Sequence, residues 1–131
     1  MVIGIGTDII EIDRIKNSIE KYGDRFLSKI YTPTEIDYCQ NKPNKYQHFA
    51  ARFAAKEAVY KALATGWQEV LSWQDIEISN ESTGMPVVTM CGRLKEFLAD
   101  DKSLKISISH SKNYVVAVAI IYKTGSEKNI Y

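Results

Sequence analysis

The sequence predicts an α+β domain in which N-terminal helices, one of them long and buried, pack on an antiparallel sheet. Three observations predict it. Helical spacing of apolar residues dominates the first half of the chain and period-two alternation the second, an order that favours α+β over a regular βαβ succession. Residues 45–65 are rich in strong helix formers, hold no Pro or Gly and stop at Gly66, which makes more than five turns at about 3.6 residues each. Leu104, Ile106 and Ile108 alternate, and an apolar run over 114–122 follows the break at His110-Ser111-Lys112-Asn113, the pattern of an antiparallel hairpin.

Taken in order, residues 1–5 are apolar and β-branched and read as a short strand that Gly6-Thr7-Asp8 turns out of the sheet. Asp8 and Glu11 have the D-x-x-E form of a helix start. The helix over 11–22 carries Ile12, Ile15 and Ile19 on one side and ends at Gly23. Thr32-Pro33-Thr34 caps a short helix reaching Asn41, and residues 41–44, with Pro43 among them, form a loop. After the long helix, residues 75–79 alternate as a strand, 80–84 turn, 86–90 form a second strand and 92–99 a short helix. Residues 1–124 make one domain, and the polar residues 125–131 read as a frayed tail.

Composition excludes several function classes. With 131 residues the chain fits one domain able to bury a core without metal or disulfide staples. Seventeen basic against sixteen acidic residues leave a net charge of +1, without the basic excess of a general nucleic-acid binder. No segment holds the roughly 18–20 apolar residues of a membrane span. The first residues lack a basic lead and soon meet Asp8, unlike a secretory leader. Cys39 and Cys91 lack metal-site spacing and read as free thiols. A cytoplasmic protein is expected.

The long helix holds the first candidate chemistry. From His48 to Ala64 it contains seven alanines among Phe49, Phe53, Val59, Tyr60 and Leu63, and a helix apolar on nearly all sides is buried. Arg52, Lys56, Glu57 and Lys61 interrupt it, and a buried ion needs a partner because desolvation costs several kcal/mol. Glu57 and Lys61, one turn apart, are either an ordinary surface pair worth about 0.2–0.5 kcal/mol or a metal ligand beside a phosphate-binding cation. Asp8 is either a helix cap or, beside Gly6 at the end of a strand, a ligand for a hard cation; Mg²⁺ takes one or two carboxylates and completes its shell with phosphate and water. Gly4 and Gly6 do not complete a dinucleotide fingerprint, since Ile9 stands at the third glycine. His110, between Ser109 and Ser111, is either an anion contact or a structural histidine.

Gly6-Thr7-Asp8, then Arg52-Phe53-Ala54-Ala55-Lys56-Glu57-Ala58 with Lys61-Ala62, then Ser107-Ile108-Ser109-His110-Ser111 resemble, over essentially the whole chain, the holo-acyl-carrier-protein synthases, the short bacterial group of the 4′-phosphopantetheinyl transferase superfamily. The resemblance implies the fold of that superfamily and a magnesium-dependent transfer of the phosphopantetheine arm of coenzyme A to a serine of apo-acyl carrier protein, with release of adenosine 3′,5′-bisphosphate. It assigns Asp8 and Glu57 to Mg²⁺ and Lys61 to the phosphate under attack. Arg52, Gly84, Pro86, His110 and Ser111 are assigned to coenzyme A. Arg14 and Arg25, with Lys21 in the same region, are assigned to docking of the acidic carrier. Glu57 is the first candidate for removing the serine proton, Lys61 the second. A homotrimer with active sites between neighbouring subunits is implied, and 114–122 either serve its packing or form internal core. Two positions depart from the family: Lys42 and Lys45 are separated by Pro43 and Asn44 where relatives are more basic, and Met85 stands inside the Gly84-Met85-Pro86 step. Two readings of other classes stay open, a non-catalytic docking module on the same fold and a small hydrolase using Ser109 or Ser111 with His110.

Overall fold

The computed structural model describes residues 1–64, 72–99 and 101–124. The elements run β1 (Val2–Glu11), α1 (Ile12–Tyr22), α2 (Asp24–Ile30), α3 (Pro33–Gln40), α4 (Lys45–Leu63), a 3-10 turn (Trp73–Asp75), β2 (Ile76–Asn80), β3 (Pro86–Met90), α5 (Arg93–Leu98), β4 (Lys102–His110) and β5 (Tyr114–Lys123). The α+β expectation holds. Among the described residues no helix is long and apolar enough to cross a membrane. The expected tail 125–131 and the stop of the long helix at Gly66 lie outside the described residues.

Strands β1, β5 and β4 form an antiparallel sheet in that order, and β2 and β3 form a separate hairpin. The middle strand, β5, sends Val115, Ala117, Ala119 and Ile121 into the core. Helix α4 crosses this inner face and touches all three strands. Small residues set the approach. A side chain at Gly4 would run into the carbonyl of Ala62, and one at Gly6 into that of Ala58, so strand and helix backbones meet directly. Two strand residues rise about 6.6 Å and four helical residues about 6 Å, so each step along one matches a turn of the other. The next inward residue after Gly6 is Asp8, which this matching carries to the turn that holds Ala54 and Glu57.

Two expectations are corrected here. The first strand does not end at Gly6-Thr7-Asp8: it continues to Glu11, and Asp8 pairs with Ala117 in mid-strand. Asp8 therefore caps no helix. Helix α1 starts at Ile12 behind Glu11, whose side chain makes no capping bond. The hydrogen-bonding partner decided this, because β5 matches β1 along its whole length. Likewise His110 remains in β4, and only 111–113 form the bend. Helix α2 was not expected between Gly23 and Thr32. The Thr32 cap is as expected, completed by Glu35, whose carboxylate accepts from the Thr32 N–H at 2.8 Å.

Candidate active site

Asp8 and Glu57 face one open cleft of about 390 Å³, together with Arg14, Ser18 and Phe53. The strand presents Asp8 on its inward side, and α4 presents Glu57 half-buried one turn from Lys61. Their proximity has an electrostatic consequence. Burial, and then the Asp8 carboxylate, hold the Glu57 pKa above the usual glutamate value, while Lys61 pulls it down. The Lys61 ammonium donates to Asp8 Oδ1 at 3.1 Å and to the Thr7 carbonyl at 3.0 Å; it bridges strand and helix instead of forming the surface pair with Glu57. Its side chain is 51% exposed and that of Asp8 16%. Glu57 also lines a second cleft of about 260 Å³ with Tyr60, Ser72 and Trp73, so it borders both spaces.

Lys56, in the same motif, behaves differently. It is buried, paired with Glu35 at 2.7 Å, and donates to the carbonyls of Ile76 at 2.7 Å and Trp73 at 3.0 Å. Glu35 also accepts from the Ile78 N–H at 2.7 Å. Burial lowers the Lys56 pKa and Glu35 opposes that shift. This pair ties α3, α4 and β2 together. Lys56 had signalled its need of a partner, but nothing local in the sequence pointed to Glu35.

A second group assembles elsewhere on α4. Arg52 is 4% exposed and donates through Nη2 to Asn80 Oδ1 at 2.8 Å. Asn80 in turn donates to the Gly84 carbonyl at 3.0 Å, which links Arg52 to the β2–β3 turn and the Gly84-Met85-Pro86 step. Gly84 has φ +90°, a conformation that side chains disfavour. His48 lies in the field of Arg52, Lys42 and His110, which brings His110 to this group as well. Ser111 Oγ accepts from the Tyr114 N–H at 3.2 Å and closes the hairpin. Lys21 and Arg25 are exposed near the junction of α1 and α2. Tyr38, His48 and Asn80 were missed in the sequence; His48 carried a readable signal, as a histidine one helical turn before Arg52.

Seven of the expected site residues thus fall into two sets: Asp8, Glu57, Lys61 and Arg14 in one, Arg52, Gly84 and His110 in the other. From Arg52 to Lys61 is nine helical residues, a rotation of about 180° at 100° each, so the sets occupy opposite sides of α4.

Residues 4–119 match the 4′-phosphopantetheinyl transferase superfamily. The holo-[acyl-carrier-protein] synthase of Chlamydia muridarum is 50% identical over 127 residues, covering 97% of this chain and all of that protein. Among solved structures, the holo-[acyl-carrier-protein] synthase of Neisseria meningitidis superposes with a TM-score of 0.84 at 32% identity, over 94% of this chain and all of that one. The Helicobacter pylori holo-[acyl-carrier-protein] synthase in complex with coenzyme A has a TM-score of 0.76 at 33% identity, over 92% of this chain and 99% of that one. The two carboxylates that β1 and α4 bring to one cleft lie within the matched span, and the chain belongs to the 4′-phosphopantetheinyl transferase superfamily, among its holo-[acyl-carrier-protein] synthases.

Proposed function

We propose that this chain transfers the 4′-phosphopantetheine arm of coenzyme A to a serine hydroxyl of apo-acyl carrier protein, with release of adenosine 3′,5′-bisphosphate, and that Asp8 and Glu57 hold the Mg²⁺ the reaction uses. The observation that carries this reading is the meeting of Asp8 and Glu57 at one cleft, from positions far apart in the chain, with Lys61 bonded to Asp8. The donor set fits a hard cation. Two carboxylates repel each other, and a cation between them removes that repulsion. Among the described residues no group of three His, Cys, Asp or Glu is placed to enclose a metal, so substrate phosphate and water would complete the shell, as suits Mg²⁺. When bound, Mg²⁺ neutralises charge on the diphosphate.

The remaining work falls to the chain. Lys61, half-exposed at the rim, leaves Asp8 for the phosphate oxygen on which charge develops, where an oriented cation acts most strongly. Glu57 borders both clefts and is the first candidate to take the proton of the serine hydroxyl. Arg14 lines the same cleft, so a carrier drawn by Arg14, Lys21 and Arg25 delivers its serine beside Glu57. Arg52 and His110 receive the phosphates of coenzyme A, and Gly84, Pro86 and Ser111 border its nucleotide. A reducing, cytoplasmic setting suits the two free cysteines.

The opposite placement of the two sets supports a homotrimer with shared sites. A nucleotide reaching both sets of one chain would have to wrap round a helix about 10–12 Å across, whereas a neighbouring subunit can supply the second set. The sheet face away from α4 offers the contact: Ile5 and Ile9 are 63% and 64% exposed, beside the half-buried Val116, Val118 and Ile120 of β5. Two experiments test the proposal. Glu57→Gln and Asp8→Asn should each lower transfer from coenzyme A in Mg²⁺ by about a hundredfold or more with an unchanged circular-dichroism spectrum; full activity in either overturns the metal assignment. Arg52→Gln and Glu57→Gln subunits, each inactive alone, should regain about one quarter of wild-type activity when mixed, as random assembly in a closed ring gives. No recovery in verified mixed assemblies would put each site within one subunit.

A further inference from the structure

Arg52 is a buried cation without a carboxylate. It is 4% exposed, and among the described residues it takes part in no ion pair. Its guanidinium carbon lies 4.4 Å from the centre of the Tyr38 ring, and Nη2 donates to Asn80 Oδ1 at 2.8 Å. Nε is buried and has no acceptor among the described residues. A charge withdrawn from water is unfavourable unless an opposite charge stands beside it. An aspartate at position 80 would supply that charge; the asparagine supplies an oriented dipole only. Arg52 is thus aimed but not neutralised, with one donor still unmade, the state of a cation reserved for an anion from outside the chain.

Asn80 does more than aim the arginine. It ends β2 opposite Pro86 of β3, and its Nδ2 donates to the Gly84 carbonyl at 3.0 Å. The turn between the two strands closes on its own backbone: the Gly84 N–H donates to the Glu81 carbonyl at 2.8 Å, and the Glu81 N–H to the Met85 carbonyl at 2.9 Å. Those bonds shape the turn, and the Asn80 amide adds what they lack, a tie from the turn to α4. One planar group, its oxygen on Arg52 and its nitrogen on Gly84, sets the distance between the arginine and the Gly84-Met85-Pro86 step. An amide carries both the acceptor and the donor this needs; an ionised carboxylate has no donor and would cancel the arginine charge.

We propose that Asn80 is a positioning residue for coenzyme A: it aims Arg52 and holds the Gly84 turn at a fixed distance from it, while leaving the arginine charge free for the substrate. This rests on coenzyme A being the substrate and on Arg52 meeting it. The role runs through Arg52, so its loss weakens binding of coenzyme A. The bond-making step belongs to Asp8, Glu57 and Lys61 on the opposite side of α4, and it is left as it was.

Kinetics and binding on the full chain test this together. Asn80→Ala should raise KM for coenzyme A on the order of tenfold, with kcat and the KM for carrier protein unchanged, the signature of lost binding that ground and transition states share. Asn80→Asp should raise it at least as much, although it keeps an oxygen for Arg52, and should fold even where the alanine variant does not, because it pairs with the arginine. Isothermal titration with coenzyme A then asks whether the effect runs through Arg52. Arg52→Gln should bind more weakly than wild type, and adding Asn80→Ala to it should bring little further loss, whereas independent contributions would multiply. Wild-type KM in Asn80→Asp, a fall in kcat at unchanged KM, or multiplying losses in the double variant each overturn the role of Asn80. Wild-type affinity in Arg52→Gln overturns instead the coenzyme A reading of Arg52, and the proposal with it.

Discussion

Lys56 and Lys61 lie on successive turns of α4, each within reach of a carboxylate on another element, yet the two pairs have opposite characters. The Lys56–Glu35 pair has no exposed side-chain surface, and each charge is satisfied on several sides by backbone groups. The Lys61–Asp8 pair is longer, opens to a cleft, and includes a lysine that is half exposed. A charge enclosed by fixed partners can neither move nor meet a ligand, so Lys56 is structural. A charge held at a rim by one carboxylate and one carbonyl can be released to a phosphate at little cost, and Lys61 has that freedom. What divides them is the number and burial of the partners, since residue type and local motif are shared.

The comparison breaks most visibly in stability. Lys56→Met leaves Glu35 buried without its cation and should cost about 3–5 kcal/mol in urea unfolding; adding Glu35→Gln should recover part of the loss. A cost below about 1 kcal/mol would place the pair among ordinary surface bridges. Lys61→Met should change stability by less than about 1 kcal/mol, since the exposed pair is screened by solvent, but should lower turnover about a hundredfold. Unchanged turnover would return Lys61 to the ordinary surface lysines.

The smallest effect concerns the carboxylates themselves. Because burial and Asp8 raise the Glu57 pKa, its proton competes with a cation at higher pH than an ordinary glutamate would allow. The Mg²⁺ concentration for half-maximal transfer should therefore increase as pH falls toward the carboxylate range, by up to tenfold per unit. A half-saturating Mg²⁺ concentration independent of pH down to an ordinary glutamate pKa, about 4.3, would separate the metal from Glu57.

Much of the fold was legible because its signals are local. The Thr32–Glu35 capping box, Gly23 after α1, the period-two strands and the alanine-rich helix each depend on residues within a few positions of one another. The small residues Gly4 and Gly6 on the strand and Ala58 and Ala62 on the helix could also have been matched, since the rise of two strand residues nearly equals that of four helical ones. The helix start at Asp8 was misread because D-x-x-E is a genuine local signal that a longer partner strand overrode. His48 and Asn80 were legible as residue types but not as neighbours of Arg52.

The sequence by itself determined which charges exist, which segments alternate or coil, and that a mostly apolar helix carries ions in need of partners. The tertiary structure decided which ions became sealed and which remained usable. Desolvation and Coulomb interaction depend on everything packed around a charge, and here the decisive neighbours, β1 against α4 and Glu35 against Lys56, come from distant parts of the chain.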